Sequence, residues 1–163
     1  MKVTSSSGMY QSERERWEIR IDKEADIVAV RQRVRDIAKE HRFDQFAVAA
    51  LTTAASELSR NVWVHAQKGI ALISVLRNGH KIGVELEFVD HGPGIADLNR
   101  ALAGGFSTSH SLGLGLSGTK RLVDEFSIDT AAGRGTRSKF ANGKKSSDCA
   151  VARIECAINS NLR

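Results

Sequence analysis

The sequence predicts an α/β (α+β) two-layer sandwich, a mixed, mostly antiparallel sheet with helices on one face. Three observations carry this. Two segments alternate apolar and polar residues with a period of two: Trp17, Ile19 and Ile21, then Ile82, Val84, Leu86 and Phe88. Two long segments between them repeat apolar residues at helical spacing. Asn78-Gly79 separates two strand-like runs, a strong hairpin signal.

In chain order, residues 1–15 read as a flexible lead-in and residues 17–21 as a half-buried strand. Asp26 is placed to cap a helix whose inner stripe is Ile27, Val30, Val34 and Ile37 and which ends near Glu40. A second helix starts near Asp44, with Ala47, Ala50, Leu51, Ala54, Leu58, Asn61, Val62 and His65 on one broad face. Gly69 is its expected C-cap. Residues 70–77 and 81–89 form the hairpin strands, Gly83, Glu85 and Glu87 facing away from the apolar row.

A sharp loop, Asp90-His91-Gly92-Pro93-Gly94-Ile95, leads into a short helix at 97–103. Residues 104–115 are rich in Gly and Ser, and helical character resumes over 116–125. Residues 126–130 and 136–140 read as strands around the turn Ala132-Gly133-Arg134-Gly135, and 142–147 as a polar turn. A last strand is expected at 149–157, with a frayed tail over 159–163. The chain is read as one domain over residues 16–158.

Composition narrows the function classes. The 163 residues are 41% hydrophobic and 26% charged, ordinary for a globular domain. No run approaches the roughly 20 apolar residues of a membrane span, and the polar N-terminus lacks a signal-peptide core, so no membrane partner and a cytoplasmic location are expected. The net charge is +5 and the pI about 9.5. With 6% aromatics and no recognition-helix or RNA-binding pattern, nucleic acid is not an expected partner. Cys149 and Cys156 would lie roughly 23 Å apart along one strand, too far for a bridge within it, and read as reduced core thiols.

Three clusters carry chemistry. Glu57 and Asn61, at i and i+4, sit one above the other on the inner side of the second helix. A carboxylate and an amide oxygen suit Mg²⁺, which prefers hard oxygen ligands. Taken alone, the pair also reads as a polar pair at the edge of the stripe. Asp90-x-Gly92-x-Gly94 follows an apolar strand directly. Its carboxylate can accept from an exocyclic amine while the glycines let backbone approach a flat ring; alone, it is also ordinary turn chemistry. The third is Gly104 to Leu116, glycines and hydroxyls before a helix start, where free N–H groups favour phosphate. Its other reading is a flexible linker, which does not need Leu112, Leu114 and Leu116. A P-loop is excluded, since Thr119-Lys120 reverses the required order, and the protein-kinase His-Arg-Asp and Asp-Phe-Gly motifs are absent.

Together the clusters resemble the Bergerat-fold, or GHKL, ATPases, the superfamily of gyrase and the histidine kinases. Glu57 and Asn61 match its N box, Asp90-x-Gly92-x-Gly94 its first glycine box, Gly113-Leu114-Gly115-Leu116 its second and Gly133-x-Gly135-Thr136 its last. More narrowly, the chain resembles the anti-sigma-factor serine/threonine kinases, particularly the switch kinases of the stressosome. The carrying segments are Asp26 to Gln32, Glu57 to Asn61, Asp90 to Ile95, Gly105 to Ser109 and Lys120 to Ser127. The likeness runs from Trp17 to Thr136; residues 137–163 are longer and more basic than the family's closing strand, and the first twelve residues have no counterpart.

The resemblance implies a Bergerat ATP-binding fold, ATP and Mg²⁺, and transfer of the γ-phosphate to a Ser or Thr of a STAS-domain protein. A downstream phosphatase or sigma-factor regulator is a further implied partner. It implies Glu57 as the catalytic residue, Asn61 on Mg²⁺, and Asp90 on the adenine amine. Gly92 and Gly94 would shape that wall, joined by Thr136 through water. Thr108 and Ser109 would close over the γ-phosphate, with backbone at Gly113, Leu114, Gly115 and Leu116 around the phosphates. Arg60 is either a phosphate or partner contact or a surface ion pair. His65 is read as packed or near the metal, not as a phosphoacceptor. Two rival readings remain: a non-catalytic ATP-binding anti-sigma factor that sequesters a sigma factor or other regulator, and a histidine-kinase fragment, which the missing phosphoacceptor domain disfavours.

Overall fold

The computed structural model describes residues 2–5, 13–78, 81–103 and 115–144. The strands are β1 (Lys2–Ser5), β2 (Glu13–Ile21), β3 (Gly69–Asn78), β4 (Lys81–Asp90), β5 (Glu125–Thr130) and β6 (Thr136–Gly143). The helices are α1 (Glu24–Glu40), α2 (Gln45–Asn61), α3 (Leu98–Ala103) and α4 (Gly115–Leu122). Sheet order is β1-β5-β6-β4-β3-β2, and every described neighbouring pair is antiparallel. The expected sandwich is therefore present, with its described sheet wholly antiparallel.

Register shows why one face is buried. Across the middle strands Trp17 pairs with Ile73, Ile73 with Leu86, and Leu86 with Phe140. Side chains alternate faces along a strand, so these residues form one apolar row on the helix side. Ile73, Leu86 and Phe140 are buried, and Phe88 stacks on Phe140 at 6.3 Å between ring centroids. From the helices, Val30, Val34 and Ile37 of α1 and Leu51, Ala54, Ala55 and Leu58 of α2 close the layer. The Arg33 guanidinium lies 4.9 Å over the Trp17 ring, tying α1 to β2.

The opposite face is polar where expected. Glu85 pairs with Lys139 at 2.6 Å and Glu87 with Arg137 at 2.8 Å, diagonally across β4 and β6. The Arg137 side chain is 63% exposed, so water screens this pair. Arg137→Ala is expected to change unfolding free energy by less than about 1 kcal/mol in a urea titration. A loss several times larger would make the pair structural.

Both helix starts are capped as expected, while other local expectations are corrected. Asp26 caps α1 from within the helix rather than from before it. It sits inside its first turn, where its Oδ2 accepts from the backbone N–H groups of Asp22 and Lys23. Asp44 is the N-cap of α2, its Oδ1 accepting from Ala47 N–H at 2.8 Å. β2 begins at Glu13, four residues before its apolar alternation shows. Within the expected lead-in, Lys2–Ser5 pairs with β5 as an edge strand. The α4 helix stops at Leu122 because Asp124 is drawn to β6: its N–H donates to Asn142 Oδ1 and its Oδ2 accepts from Gly143 N–H. β6 therefore runs into the segment expected as a polar turn. The expected strand 149–157, with both cysteines, and the tail 159–163 lie outside the described residues.

The end of α2 differs most. It does not continue as a regular helix to Gly69. After Asn61 comes a π turn over Val62–Ala66, closed by Gln67 in the left-handed region at φ 60°. Gln67, not Gly69, reverses the chain, and Gly69 is the first residue of β3. Among the described residues no helix is long and apolar enough to cross a membrane.

Candidate active site

Two of the four matched boxes, the first and the last glycine box, are one structural unit. Asp90 ends β4 and Thr136 begins β6, and register makes them direct partners. Thr136 in turn pairs with Thr130 at the end of β5. Asp90, Thr136 and Thr130 thus form a row across three strands on the helix-side face.

Backbone contacts hold this row. The Asp90 Oδ1 accepts from Gly92 N–H at 2.9 Å and from Thr136 N–H at 3.2 Å. One carboxylate oxygen is therefore occupied, and no described residue donates to Oδ2. The loop after β4 and the turn between β5 and β6 are joined directly: Gly133 N–H donates to Pro93 O at 2.7 Å, and Ile95 N–H to Thr130 Oγ1 at 2.9 Å.

Two glycines permit the approach. Gly94 has φ 71°, and a Cβ there would strike the Ala131 carbonyl oxygen. Gly135 has φ 81°, and a Cβ there would strike the Asp90 carbonyl oxygen. Both positions exclude a side chain by conformation and by space. Gly94 and Gly135 are thus required by backbone meeting backbone, whatever lies in the pocket.

The second part of the site is the end of α2. Glu57 is 4% exposed, and no described side chain pairs with its carboxylate. Asn61 is half-buried one turn further on, at the last residue of the regular helix. The π turn meets the loop after β4 at one place, where a Cβ on Gly92 would lie 2.6 Å from Ala66 Cβ, and it meets the start of β3 where one on Gly69 would lie 2.5 Å from Val62 Cγ1. The turn that follows Asn61 is thereby a neighbour of the Asp90 loop. π turns recur at functional sites, where the extra residue re-aims a helix end.

The wider turn also changes the phase of His65. On a regular helix it would share the Glu57 face; after the π turn it is exposed while Glu57 is buried. The expectation of a packed His65 is therefore corrected. Arg60 makes no ion pair among the described residues. Two residues after Glu57, Ser59 is fully buried and its Oγ has no hydrogen-bond partner among the described residues.

Gly115, at φ 47°, opens α4, and the partly buried Leu116 packs against the core. Thr108, Ser109, Gly113 and Leu114 lie outside the described residues. Sequence reasoning missed Thr130. Its signal was a hydroxyl on an apolar period, after Phe126 and Ile128, which demands a buried partner.

The donor set fits the groups that the resemblance implies. Asp90 offers a fixed acceptor oxygen, and Glu57 with Asn61 offers two oxygen-bearing side chains on one helix face, the hard donors a magnesium ion takes. No cluster of three or more His, Cys, Asp or Glu stands ready to hold a metal among the described residues. Any ion here would complete its shell with water and phosphate oxygen.

Comparison with known proteins follows from this geometry. The histidine kinase-like ATPase domain matches residues 21–139. A serine/threonine-protein kinase RsbT from Bacillus subtilis is 48% identical over 118 residues, covering 72% of this chain and 89% of the relative. Anti-sigma F factors from Thermoanaerobacter sp. and from Caldanaerobacter subterraneus are each 30% identical over 95 residues. These matches cover 55% of this chain and 65% of each factor. Among solved structures, the RsbU and RsbW domains of a Mycobacterium tuberculosis protein superpose with a TM-score of 0.56 at 17% identity. That match covers 83% of this chain and 34% of the other, a likeness of fold.

Proposed function

The chain belongs to the family of histidine kinase-like ATPase domains, and on that premise we propose that it is a serine/threonine protein kinase of a stressosome-type partner-switching module. It transfers the γ-phosphate of ATP to a Ser or Thr hydroxyl of a STAS-domain protein. The observation that carries this reading is Glu57, 4% exposed on α2 and without an ion pair or side-chain hydrogen bond among the described residues, one turn before Asn61. A carboxylate free of protein partners at this place is available as a base, which a protein that only binds nucleotide does not need.

In this reading the Asp90 Oδ2 accepts from the adenine amine, and Thr136 borders the same edge. Asn61 would hold Mg²⁺, which when bound would neutralise phosphate charge. Glu57 orients the incoming hydroxyl and takes its proton as the oxygen attacks the γ-phosphorus. The bond from γ-phosphorus to the bridging oxygen breaks, and ADP leaves. The resemblance assigns Thr108 and Ser109 to the γ-phosphate, and the backbone at Gly113, Leu114, Gly115 and Leu116 to the remaining charge.

Incubation with Mg-ATP and a candidate STAS-domain protein is expected to add one phosphate to that protein, read by intact mass and then by fragmentation to a Ser or Thr. An unchanged partner mass after long incubation overturns the kinase reading for that partner. The anti-sigma F factor relatives support a second reading, sequestration of a regulator. It predicts a stable complex with a sigma factor, seen by size exclusion.

A further inference from the structure

Thr130 is buried, 4% exposed, and belongs to no cluster that the sequence marks as functional. Among the described residues its Oγ1 meets three groups from three places: Ile95 N–H at 2.9 Å, Gly135 O at 3.0 Å and Thr136 Oγ1 at 3.1 Å. Proton bookkeeping decides the direction of each bond. A hydroxyl carries one hydrogen. Ile95 N–H only donates, so Thr130 accepts there. Gly135 O only accepts, so Thr130 must donate its one hydrogen to it. The remaining bond then requires the Thr136 hydroxyl to donate to Thr130.

The consequence lies one strand over. With its hydrogen committed to Thr130, the Thr136 hydroxyl has only lone pairs to offer elsewhere. Asp90, its cross-strand partner, also offers only acceptor oxygen. The edge formed by these two residues is therefore acceptor-only. It suits a ligand that presents hydrogens, as the 6-amino group of adenine does, and opposes a 6-oxo purine, whose exocyclic oxygen also accepts.

We propose that Thr130 is a positioning residue for base selection: its hydroxyl fixes the Thr136 hydrogen so that Asp90 and Thr136 favour a 6-amino purine nucleotide over a 6-oxo one. This rests on the reading of the Asp90 pocket as the base site, and goes beyond it in naming the residue that sets polarity. In Thr130→Val the shape is kept and the hydroxyl lost. Thr136 is then free to turn its hydrogen towards the ligand, which repels an amine and welcomes an oxo group.

The test is calorimetric titration of ATP and inosine triphosphate, each with Mg²⁺, into wild type, Thr130→Val, Thr130→Ser and Thr136→Val, with thermal melts of each. Wild type is expected to prefer ATP. Thr130→Val should lower the ratio of ATP to inosine triphosphate affinity about tenfold, the scale of one misplaced hydrogen bond. Thr130→Ser should restore it. Thr136→Val should lower it as well, which keeps the test decisive if Thr130→Val does not fold.

Parallel weakening of both nucleotides in Thr130→Val, or an unchanged ratio in Thr136→Val, overturns the inference and leaves the pocket reading intact. Equal wild-type affinity for the two nucleotides does the same. A wild type that binds neither overturns the pocket reading itself.

Discussion

Glu57→Ala is expected to abolish phosphate transfer while leaving ATP binding within about twofold of wild type. General-base assistance contributes about a hundredfold to ten-thousandfold to a rate, so loss of the carboxylate should take turnover to near background. Binding should survive because the base contacts belong to β4 and β6, held by Gly92, Thr136 and Thr130, none of which touches α2 through Glu57. Stability gives the sharper signature. Glu57 has no ion pair or side-chain hydrogen bond among the described residues, so its carboxylate adds no such contact to the folded state. Both Glu57→Ala and Glu57→Gln should therefore melt close to wild type while transferring no phosphate. That pattern, activity lost and stability kept, belongs to a residue retained for chemistry. Equal loss of binding, transfer and melting temperature would make Glu57 structural, and the sequestering reading would then lead. The measurements are single-turnover transfer to the STAS-domain partner, ATP titration and a thermal melt on the same preparations.

The sequence showed the parts of this site because each is a local pattern. Glu57 and Asn61 are four apart on one helix, and Asp90, Gly92 and Gly94 are alternate residues of one loop. Strand alternation likewise assigned Val84, Leu86 and Phe88 to the core and Glu85 and Glu87 to the far face, as found. What was not legible depends on distant residues meeting. Nothing local tells that Asp90 and Thr136 are register partners 46 residues apart, or that Gly94 and Gly135 are glycines because each faces another segment's carbonyl. The π turn was hidden for the same reason. Its residues, Val62 to Ala66, have ordinary helical character, and the extra residue per turn is accommodated by contacts with Gly69 and Gly92. The β1 strand has four residues and, among the described residues, pairs along one edge, too short for alternation to reveal it.

Asp90→Asn is expected to weaken ATP binding at least tenfold, about 1.4 kcal/mol, without unfolding the loop that carries it. The asymmetry of the two carboxylate oxygens explains both halves. Oδ1 accepts from the N–H groups of Gly92 and Thr136. An asparagine keeps those bonds only with its own oxygen at that position, since the flipped amide would set its NH₂ against two donors. The orientation of the amide is thereby dictated, and the loop keeps its shape. The NH₂ must then occupy the place of Oδ2, replacing an acceptor with a donor where the base presents its amine. Donor would face donor, and the purine loses its bond without any change in side-chain size. Titration of ATP with Mg²⁺ into wild type and Asp90→Asn measures this, with a melt to show that the variant is folded. Unchanged affinity in a folded variant would remove Asp90 from the pocket, and the base would have to be read elsewhere. If affinity for inosine triphosphate survives or rises while that for ATP falls, the site distinguishes purines by hydrogen-bond polarity, and Asp90 is the residue that sets its sign.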